Sequence, residues 1–424
     1  MNQSDIQKAL NNLEERYAKF KEMNLKLDMT RGRPCTEQLD LSNGLFSAID
    51  KYGYKTENGI DCRNYGGLEG IPEARRLFAQ ILEVEPDEVI IGGNSSLNLM
   101  YDAISIALRF GTGPNSKPWS HYPKVKFLCP SPGYDRHFAM LENFGIEMIA
   151  IDMKKDGPDM DAVEKLAAED EGIKGIWCVP KYSNPDGITY SDETVDRLAG
   201  MKTAADDFRI FYDNAYVVHH LTDNPDRLKN IMASCKKAGN PDRVYIFSST
   251  SKITFPGSGI SALAASRSNI EFIKKHISFQ TIGPNKLNQL AHVHFLRDLK
   301  HIEEHMKKHA AILRPKFDLV LDTLERELGG KNIAWWNRPN GGYFISLFTL
   351  DGCAKEVVKL AKEAGVSLTG AGATYPYGKD PRDRNIRIAP TMPPLNELKL
   401  ATELLCICVQ LASYRKMLEN GDCA

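Results

Sequence analysis

Hydrophobic residues in the first two thirds of the chain alternate between short apolar runs and longer amphipathic stretches. The short runs are rich in Val, Ile and Phe and are bounded by Gly, Pro, Asn or Ser, which predicts buried strands. The stretches between them predict helices. The predicted strands comprise residues 125–129, 147–151, 173–179, 208–212 and 244–247, with another beginning at Val89. This alternation predicts a mostly parallel α/β sheet covered by helices on both faces.

The two ends of the chain have a different pattern. Residues 4–23 carry apolar side chains at helical spacing, so we expect an amphipathic helix capped by Ser4. After about residue 268 the pattern predicts long helices, among them one from 286 to 327 with a bend at Pro315. Short strands follow at 334–336, 342–348 and 386–389. Strands and helices in this proportion predict a smaller α+β domain.

Polar or aromatic residues follow several of the predicted strands directly. In parallel α/β sheets the ligand lies beyond the carboxyl ends of the strands. We therefore expect one binding site at this edge of the sheet, formed by Ser95, Tyr134, Asn184, Asp213 and Lys252.

Lys252 follows the apolar run 244–247 and a cluster of hydroxyl residues. Beyond it Pro256, Gly257 and Gly259 prevent an ordinary helix. A lysine at the end of an apolar strand is partly desolvated, which lowers its pKa and favours the neutral amine that Schiff-base chemistry needs. The alternative is a solvated lysine in a serine-rich turn, and the other strand ends argue against it.

Composition excludes several classes of function. A net charge of -1 gives no electrostatic case for a nucleic acid or an anionic membrane as partner. The nine cysteines form no CxxC pair, which indicates reduced core thiols rather than disulfides or a metal site. The start of the chain has no hydrophobic signal core, so we expect a cytoplasmic protein.

The polar residues at the strand ends suit a flat aromatic cofactor that carries an aldehyde, a ring nitrogen, a phenolic oxygen and a phosphate. Lys252 can bond the aldehyde, and Asp213 can keep the ring nitrogen protonated. Asn184 and Tyr216 can hydrogen-bond the phenolic oxygen, while Tyr134 stacks on the ring.

The same interpretation assigns the remaining groups of the cofactor and substrate. Ser95, Ser96 and Ser249 can bind the phosphate, two of them at a predicted helix N-terminus. Arg387 offers a planar fork for the α-carboxylate of an amino acid.

At these residues the chain resembles the pyridoxal-phosphate enzymes of fold type I, the aspartate aminotransferase superfamily. Within that superfamily it is similar to bacterial aspartate aminotransferases of the divergent type Ic group. The resemblance covers nearly the whole chain and rests on an ordered set of motifs: Asn64-Tyr-Gly-Gly-Leu-Glu-Gly70, the Asn184-Pro pair, Asp213-x-x-Tyr216, Ser249-x-x-Lys252, Asn385-Ile-Arg387, Leu27-Asp-Met-Thr-Arg-Gly-Arg-Pro34 and Pro132-Gly-Tyr-Asp-Arg-His137.

The resemblance implies transamination between an amino acid, with L-aspartate the best candidate, and 2-oxoglutarate, through an internal aldimine at Lys252. It implies a homodimer with shared active sites, to which Tyr65 of the neighbouring subunit contributes. Arg31, Gly32, Asn184 and Arg387 are then the expected substrate-binding residues.

The resemblance also implies a division of the chain. Residues 46–295 form the large cofactor-binding domain and residues 296–424 a small domain, which residues 1–45 complete as an N-terminal helix and arm.

One position departs from the family pattern. Most members of the class carry an arginine eight residues after the Schiff-base lysine, where it pairs with the cofactor phosphate, and here that position is Ile260. Phosphate binding then depends on the serines, the helix dipole, Tyr65 or another cation, for which Lys286 is a candidate.

Three alternatives remain open at the level of sequence. The first is an aminotransferase of other specificity, for alanine or aromatic amino acids, and the second is a Cβ–S lyase on the same fold. The third is a ligand-sensing transcription regulator, which would need an N-terminal DNA-binding domain of roughly 70 residues and a basic patch.

Overall fold

The computed structural model describes residues 2–421 and contains a central eight-stranded sheet. The order of its strands is β2 (Val89–Gly92), β9 (Ser261–Ala264), β8 (Val244–Ser249), β7 (Arg209–Asp213), β6 (Ile173–Cys178), β3 (Lys126–Ser131), β4 (Glu147–Lys154) and β5 (Gly157–Pro158). Neighbouring strands from β8 through β7, β6 and β3 to β4 are parallel. The pairs β2–β9, β9–β8 and β4–β5 are antiparallel. The expectation of a mostly parallel sheet is therefore confirmed.

The strands are numbered in chain order: β1 Leu27–Asp28, β2 Val89–Gly92, β3 Lys126–Ser131, β4 Glu147–Lys154, β5 Gly157–Pro158, β6 Ile173–Cys178, β7 Arg209–Asp213, β8 Val244–Ser249, β9 Ser261–Ala264, β10 Ala334–Trp336, β11 Ile345–Thr349, β12 Val366–Ser367 and β13 Asn385–Ile388. The α-helices follow the same convention: α1 Gln3–Glu22, α2 Thr36–Asp40, α3 Ala48–Tyr52, α4 Pro72–Leu82, α5 Ser96–Phe110, α6 Asp135–Asn143, α7 Met160–Glu169, α8 Asp192–Gly200, α9 Ile231–Lys237, α10 Arg267–Ile277, α11 Lys286–Leu296, α12 Leu299–Leu328, α13 Ala354–Glu363 and α14 Leu395–Asn420.

Helices cover both faces of the large sheet, because alternate residues of each strand point to opposite sides. In β7, Ile210 and Tyr212 belong to the core formed with α4, α8 and α9, whereas Phe211 belongs to the core formed with α5, α6 and α10. By the same alternation Asp213, the last residue of β7, lies on the α6 side. The strand thereby directs a carboxylate toward the first turn of α6.

A second core joins the two ends of the chain. Helix α1 packs against α14, which also contacts α12 and α13. Strand β1 pairs in parallel with β12, and β10, β11 and β13 form an antiparallel sheet. The domain boundaries expected at residues 45 and 295 remain a prediction.

Some details of the predicted elements are wrong. The cap of α1 is Asn2, whose side chain accepts the Asp5 N–H at 2.9 Å, and not Ser4. The single helix expected from 286 to 327 is two helices, because Arg297 takes a positive φ of 61° and Asp298 caps α12. Pro315 lies within α12.

The described cysteines are all free and buried, which agrees with reduced core thiols; Cys423 lies outside the described residues. Within residues 2–421, no helix combines the length and the apolar character needed to span a membrane.

Candidate active site

Asp213 lies at the carboxyl end of β7 and is almost completely buried. Its Oδ2 is 3.0 Å from Nε2 of His137, in the first turn of α6. The imidazole of His137 stacks on Trp177 with ring centroids 4.1 Å apart, which fixes its orientation. The other oxygen, Oδ1, is buried and has no hydrogen-bond partner among the described residues. A buried carboxylate oxygen without a partner is costly, so this atom is available for a donor from a ligand.

Tyr134 is the residue that precedes α6 and lies beside His137 in an edge-on ring contact of 4.9 Å. Burial, together with the nearby carboxylates of Asp213 and Asp135, raises the pKa of Tyr134 to about 12. Its hydroxyl therefore remains protonated at physiological pH. The ring lies on the same side of the sheet as Asp213.

Lys252 lies in the turn that follows β8 and is partly buried. Its Nζ is 5.1 Å from the ring centroid of Tyr216 and 5.7 Å from that of Tyr343. Burial lowers the pKa of Lys252, and the carboxylate of Asp213 partly offsets that shift. The amine thus lies beside two aromatic rings, which do not compensate fully for lost hydration.

The predicted phosphate-binding serines lie on neighbouring loops. Ser95 caps α5 by accepting the Leu97 N–H at 3.3 Å, and Ser96 is the first residue of that helix. Ser249 donates to Ser251 at 3.0 Å, and Ser251 in turn donates to the carbonyl of Asn94 at 3.0 Å. These bonds bring the end of β8 next to the N-terminus of α5.

Ile260, where most members of the class have an arginine, is buried. Its N–H donates to Thr250 Oγ1 at 3.0 Å and its carbonyl accepts from the Thr250 N–H at 2.8 Å. The residue closes the turn that carries Lys252 and places no charge near α5.

Arg387 extends from β13, in the sheet formed by the C-terminal part of the chain. Its Nη1 donates to Asp135 Oδ1 at 2.8 Å and to Asn184 Oδ1 at 3.3 Å. The guanidinium lies 4.9 Å from the ring centroid of Phe344. The structure thus brings together Arg387 and Asn184, two of the expected substrate-binding residues.

Gly32 packs against the ring of Phe344, which the guanidinium of Arg387 also contacts. A Cβ at Gly32 would lie 2.6 Å from Phe344 Cζ, so any larger residue would displace the ring. We expected this glycine to let a ligand approach, but the close neighbour in the structure is an aromatic side chain. Arg31 beside it is exposed.

Tyr65 lies apart from these residues in its own chain, with its side chain 85% exposed. The loop that carries it is fixed by Lys286, whose Nζ donates to the carbonyls of Asn64 at 2.6 Å and Gly66 at 2.5 Å. Lys286, the candidate phosphate cation, is therefore already engaged with this loop.

Several residues near the site were not assigned a role from sequence: His137, Asp135, Tyr343, Phe344 and Thr369. Tyr134 directly precedes α6 and His137 is the third residue of that helix, so their separation in sequence could have placed the two side chains close together. The contacts of Asp135, Tyr343, Phe344 and Thr369 join distant segments and leave no local signal.

Taken together, these elements bring a desolvated amine, a carboxylate with an unpartnered oxygen and a guanidinium to one edge of the sheet. The amine suits covalent attachment to a carbonyl, and the carboxylate suits a protonated ring nitrogen. The helix N-terminus and serines suit a phosphate. The residues present therefore fit pyridoxal 5′-phosphate.

Comparisons with known proteins agree with this geometry. A sequence profile of the family described as "Aspartate amino-transferase" matches residues 1–421. An aspartate aminotransferase of Corynebacterium glutamicum is 46% identical over 401 residues, which cover 95% of this chain and 93% of that protein. The transcription regulators considered from sequence match much less of the chain, at 28% identity over 40% of it for a Bacillus subtilis protein.

Solved structures extend the comparison. The crystal structure of an aspartate transaminase from C. glutamicum superposes with a TM-score of 0.96, at 45% identity, and covers 98% of both chains. An α-aminoadipate aminotransferase of Thermus thermophilus, complexed with N-(5′-phosphopyridoxyl)-L-leucine, has a TM-score of 0.75 at 19% identity. The superposition covers 92% of this chain and 93% of that protein. At 19% identity it shows that the two share a fold.

The electrostatic link between Asp213 and Lys252 predicts a pH effect. Asp213→Asn removes the negative charge that favours the ammonium form, so the pKa of Lys252 should fall further below its ordinary value. The pH dependence of reductive methylation at Lys252, followed in the cofactor-free protein by peptide mass spectrometry, should have its midpoint at a lower pH. Asp159→Asn, which removes the partner of the exposed Lys154, should leave the Lys252 midpoint unchanged. An unchanged or higher midpoint in Asp213→Asn would contradict this electrostatic link.

Proposed function

This chain belongs to the aspartate aminotransferase family, and on that basis we propose that it transfers the amino group of L-aspartate to 2-oxoglutarate with pyridoxal 5′-phosphate as cofactor. One observation carries the proposal: Lys252, Asp213 and Arg387 lie around the carboxyl edge of one sheet, with the unpartnered Oδ1 of Asp213 among them. When bound, the cofactor supplies an aldehyde for attachment to amines and a pyridinium ring that withdraws electrons from the substrate carbon.

Lys252 has two roles in this proposal. Its amine holds the cofactor before the substrate arrives, for which a neutral nitrogen is needed. Once the substrate amine has taken its place, the freed Nζ would serve as the general base that accepts the proton of the substrate Cα and as the acid that gives it back. The lowered pKa that burial causes supports both roles, since it increases the neutral fraction near pH 7.

Asp213 and Tyr216 set the electronic state of the cofactor. Oδ1 of Asp213, which has no partner among the described residues, would hold the protonated ring nitrogen, while His137 holds Oδ2 at 3.0 Å and so orients the carboxylate. Burial, with Tyr134 and Asp213 nearby, raises the pKa of Tyr216, so its hydroxyl is a neutral donor. Together with Asn184 it would hold the phenolic oxygen of the cofactor, and Tyr134 would hold the face of the ring.

The phosphate is bound in this proposal without an arginine at position 260. Ser95 and Ser96 offer hydroxyls and backbone N–H groups at the positive end of α5, and Ser249 lies on the adjoining loop.

We further propose that the protein is a homodimer in which Tyr65 of a second subunit completes the phosphate site. Three strongly exposed apolar side chains support this proposal: Tyr65, Phe279 and Ile282. Exposed apolar surface of this kind is typical of an interface. The hydrogen bonds from Lys286 to the carbonyls on either side of Tyr65 fix the loop that directs this ring toward the second subunit in the proposed dimer. The buried, free cysteines favour a reducing compartment such as the cytoplasm.

Arg387 binds the substrate α-carboxylate in this proposal, and Asn184 orients the guanidinium. The distal carboxylate of aspartate needs a second cation. We assign it to Arg31, because the adjacent Thr30 carbonyl lies 3.5 Å from Nη2 of Arg387 and Gly32 packs on Phe344.

Lys252→Ala tests the function directly. Without the Nζ amine, the rate of transamination between L-aspartate and 2-oxoglutarate should fall by about two to four orders of magnitude. Borohydride treatment of the wild-type protein should fix the cofactor on the peptide that contains Lys252, as detected by mass spectrometry.

Lys181 provides a matched control for this test. It is a buried lysine whose pKa is lowered by burial to about 8, and its Nζ donates to the carbonyl of Val217 at 3.1 Å. Lys181→Met should keep the cofactor linkage at Lys252. A reducible linkage at Lys181 or any other lysine in Lys252→Ala would overturn the assignment.

Arg31→Ala should lower kcat/KM for L-aspartate while leaving that for L-alanine nearly unchanged. A hydrogen-bonded charge pair at a partly exposed site is worth about 1.5–3 kcal/mol, so we expect a loss of roughly ten- to a hundredfold. Arg33→Ala is the control, because Arg33 pairs with Asp28 at 3.3 Å and should affect neither substrate selectively. Equal losses for aspartate and alanine would show that Arg31 stabilises the cofactor or the fold instead.

A further inference from the structure

Both Nη atoms of the Arg387 guanidinium already donate hydrogen bonds within the protein. Nη1 donates to Asp135 at 2.8 Å and to Asn184 at 3.3 Å. Nη2 donates to Thr369 Oγ1 at 3.3 Å and to the carbonyl of Thr30 at 3.5 Å. Among these partners the carboxylate of Asp135 makes the shortest bond and is the charged one.

A substrate carboxylate therefore has few ways to reach Arg387. The Nε atom has no hydrogen-bond partner among the described residues, but it is buried and offers no accessible surface. The Nη2 edge is covered by Thr369 and by the backbone of Thr30. The Nη1 edge is covered by Asn184, which is buried, and by Asp135, whose side chain is 34% exposed. Asp135 is thus the partner with room to move away into solvent.

We propose that Asp135 is a specificity-determining residue, whose carboxylate occupies the place of the substrate α-carboxylate on Arg387 and leaves when substrate binds. The inference rests on the proposed function, in which Arg387 holds that carboxylate. Asp135 is the first residue of α6 and directly follows Tyr134 in the chain. Once displaced from Arg387, its carboxylate therefore stays next to the site.

The exchange disfavours simple carboxylates. One carboxylate replaces another on the same guanidinium, so the gain from the new ion pair is offset by the loss of the old one. Asp135 is also tethered, which gives it an effective concentration on the order of millimolar. A ligand with a single carboxylate must exceed that concentration to compete. A substrate that also bonds the cofactor or a second cation has additional binding energy and displaces Asp135 readily.

Calorimetric titration of the purified protein with propionate tests this competition without any turnover. Asp135→Asn keeps the shape of the side chain and removes its charge, so propionate should bind about tenfold more tightly than to the wild-type protein. Arg387→Met should abolish propionate binding, and Asp135→Asn should give no gain in the Arg387→Met background. Asp161→Asn, a charge change in the first turn of α7 where Asp161 pairs with Arg197, should bind propionate as the wild type does.

A second ligand separates this inference from the proposed function. Maleate, a dicarboxylate without an amine or an oxo group, should bind the wild-type protein and lose its binding in Arg387→Met. If maleate behaves so while Asp135→Asn binds propionate no better than wild type, or more weakly, Asp135 is not a competitor and the inference is overturned. If Arg387→Met leaves maleate binding unchanged, the substrate role of Arg387 fails, and the inference fails with it. Asp135→Ser should reproduce the gain, which excludes an effect peculiar to asparagine.

Discussion

The hydrogen bond between Asp213 and His137 is the contact on which the site depends. It holds a carboxylate at the buried end of β7, where removal from water carries a high cost. His137 is itself fixed by its stack on Trp177, a residue of β6, so two strands and α6 share one rigid arrangement. Because one oxygen is held and the other is left unpartnered, the carboxylate is preorganised for a donor that the protein does not supply.

The second constraint is that the site draws on both cores. Lys252 and Asp213 belong to the large sheet, whereas Arg387 comes from β13 in the sheet formed by the C-terminal part of the chain. Arg387 reaches across to Asn184 and Asp135, and the N-terminal arm contributes the carbonyl of Thr30. Any shift between these two parts changes the distance between the amine and the guanidinium. Polar contacts of Arg387 therefore link substrate binding to the packing of the two parts.

The sequence was most informative where local pattern and topology coincide. Parallel strands end at the same edge, so Asp213 and Lys252 could be assigned to one site from their positions after apolar runs. The break at Arg297 could not be predicted, because neither glycine nor proline marks that positive φ. Strand β9 was missed because it is short and made largely of small residues after a glycine-rich turn. The pairing of Asp135 with Arg387 joins residues far apart in the chain and needs the folded structure.

A single-turnover experiment tests the central claim, that this site transfers an amino group. Cofactor-loaded protein is mixed with excess L-aspartate and no 2-oxo acid, and oxaloacetate is counted per chain. We expect one equivalent, after which the reaction stops until 2-oxoglutarate is added. No release of oxaloacetate from L-aspartate, together with continued release of pyruvate, ammonia and hydrogen sulfide from L-cysteine without any acceptor, is the behaviour of a Cβ–S lyase and would contradict the account.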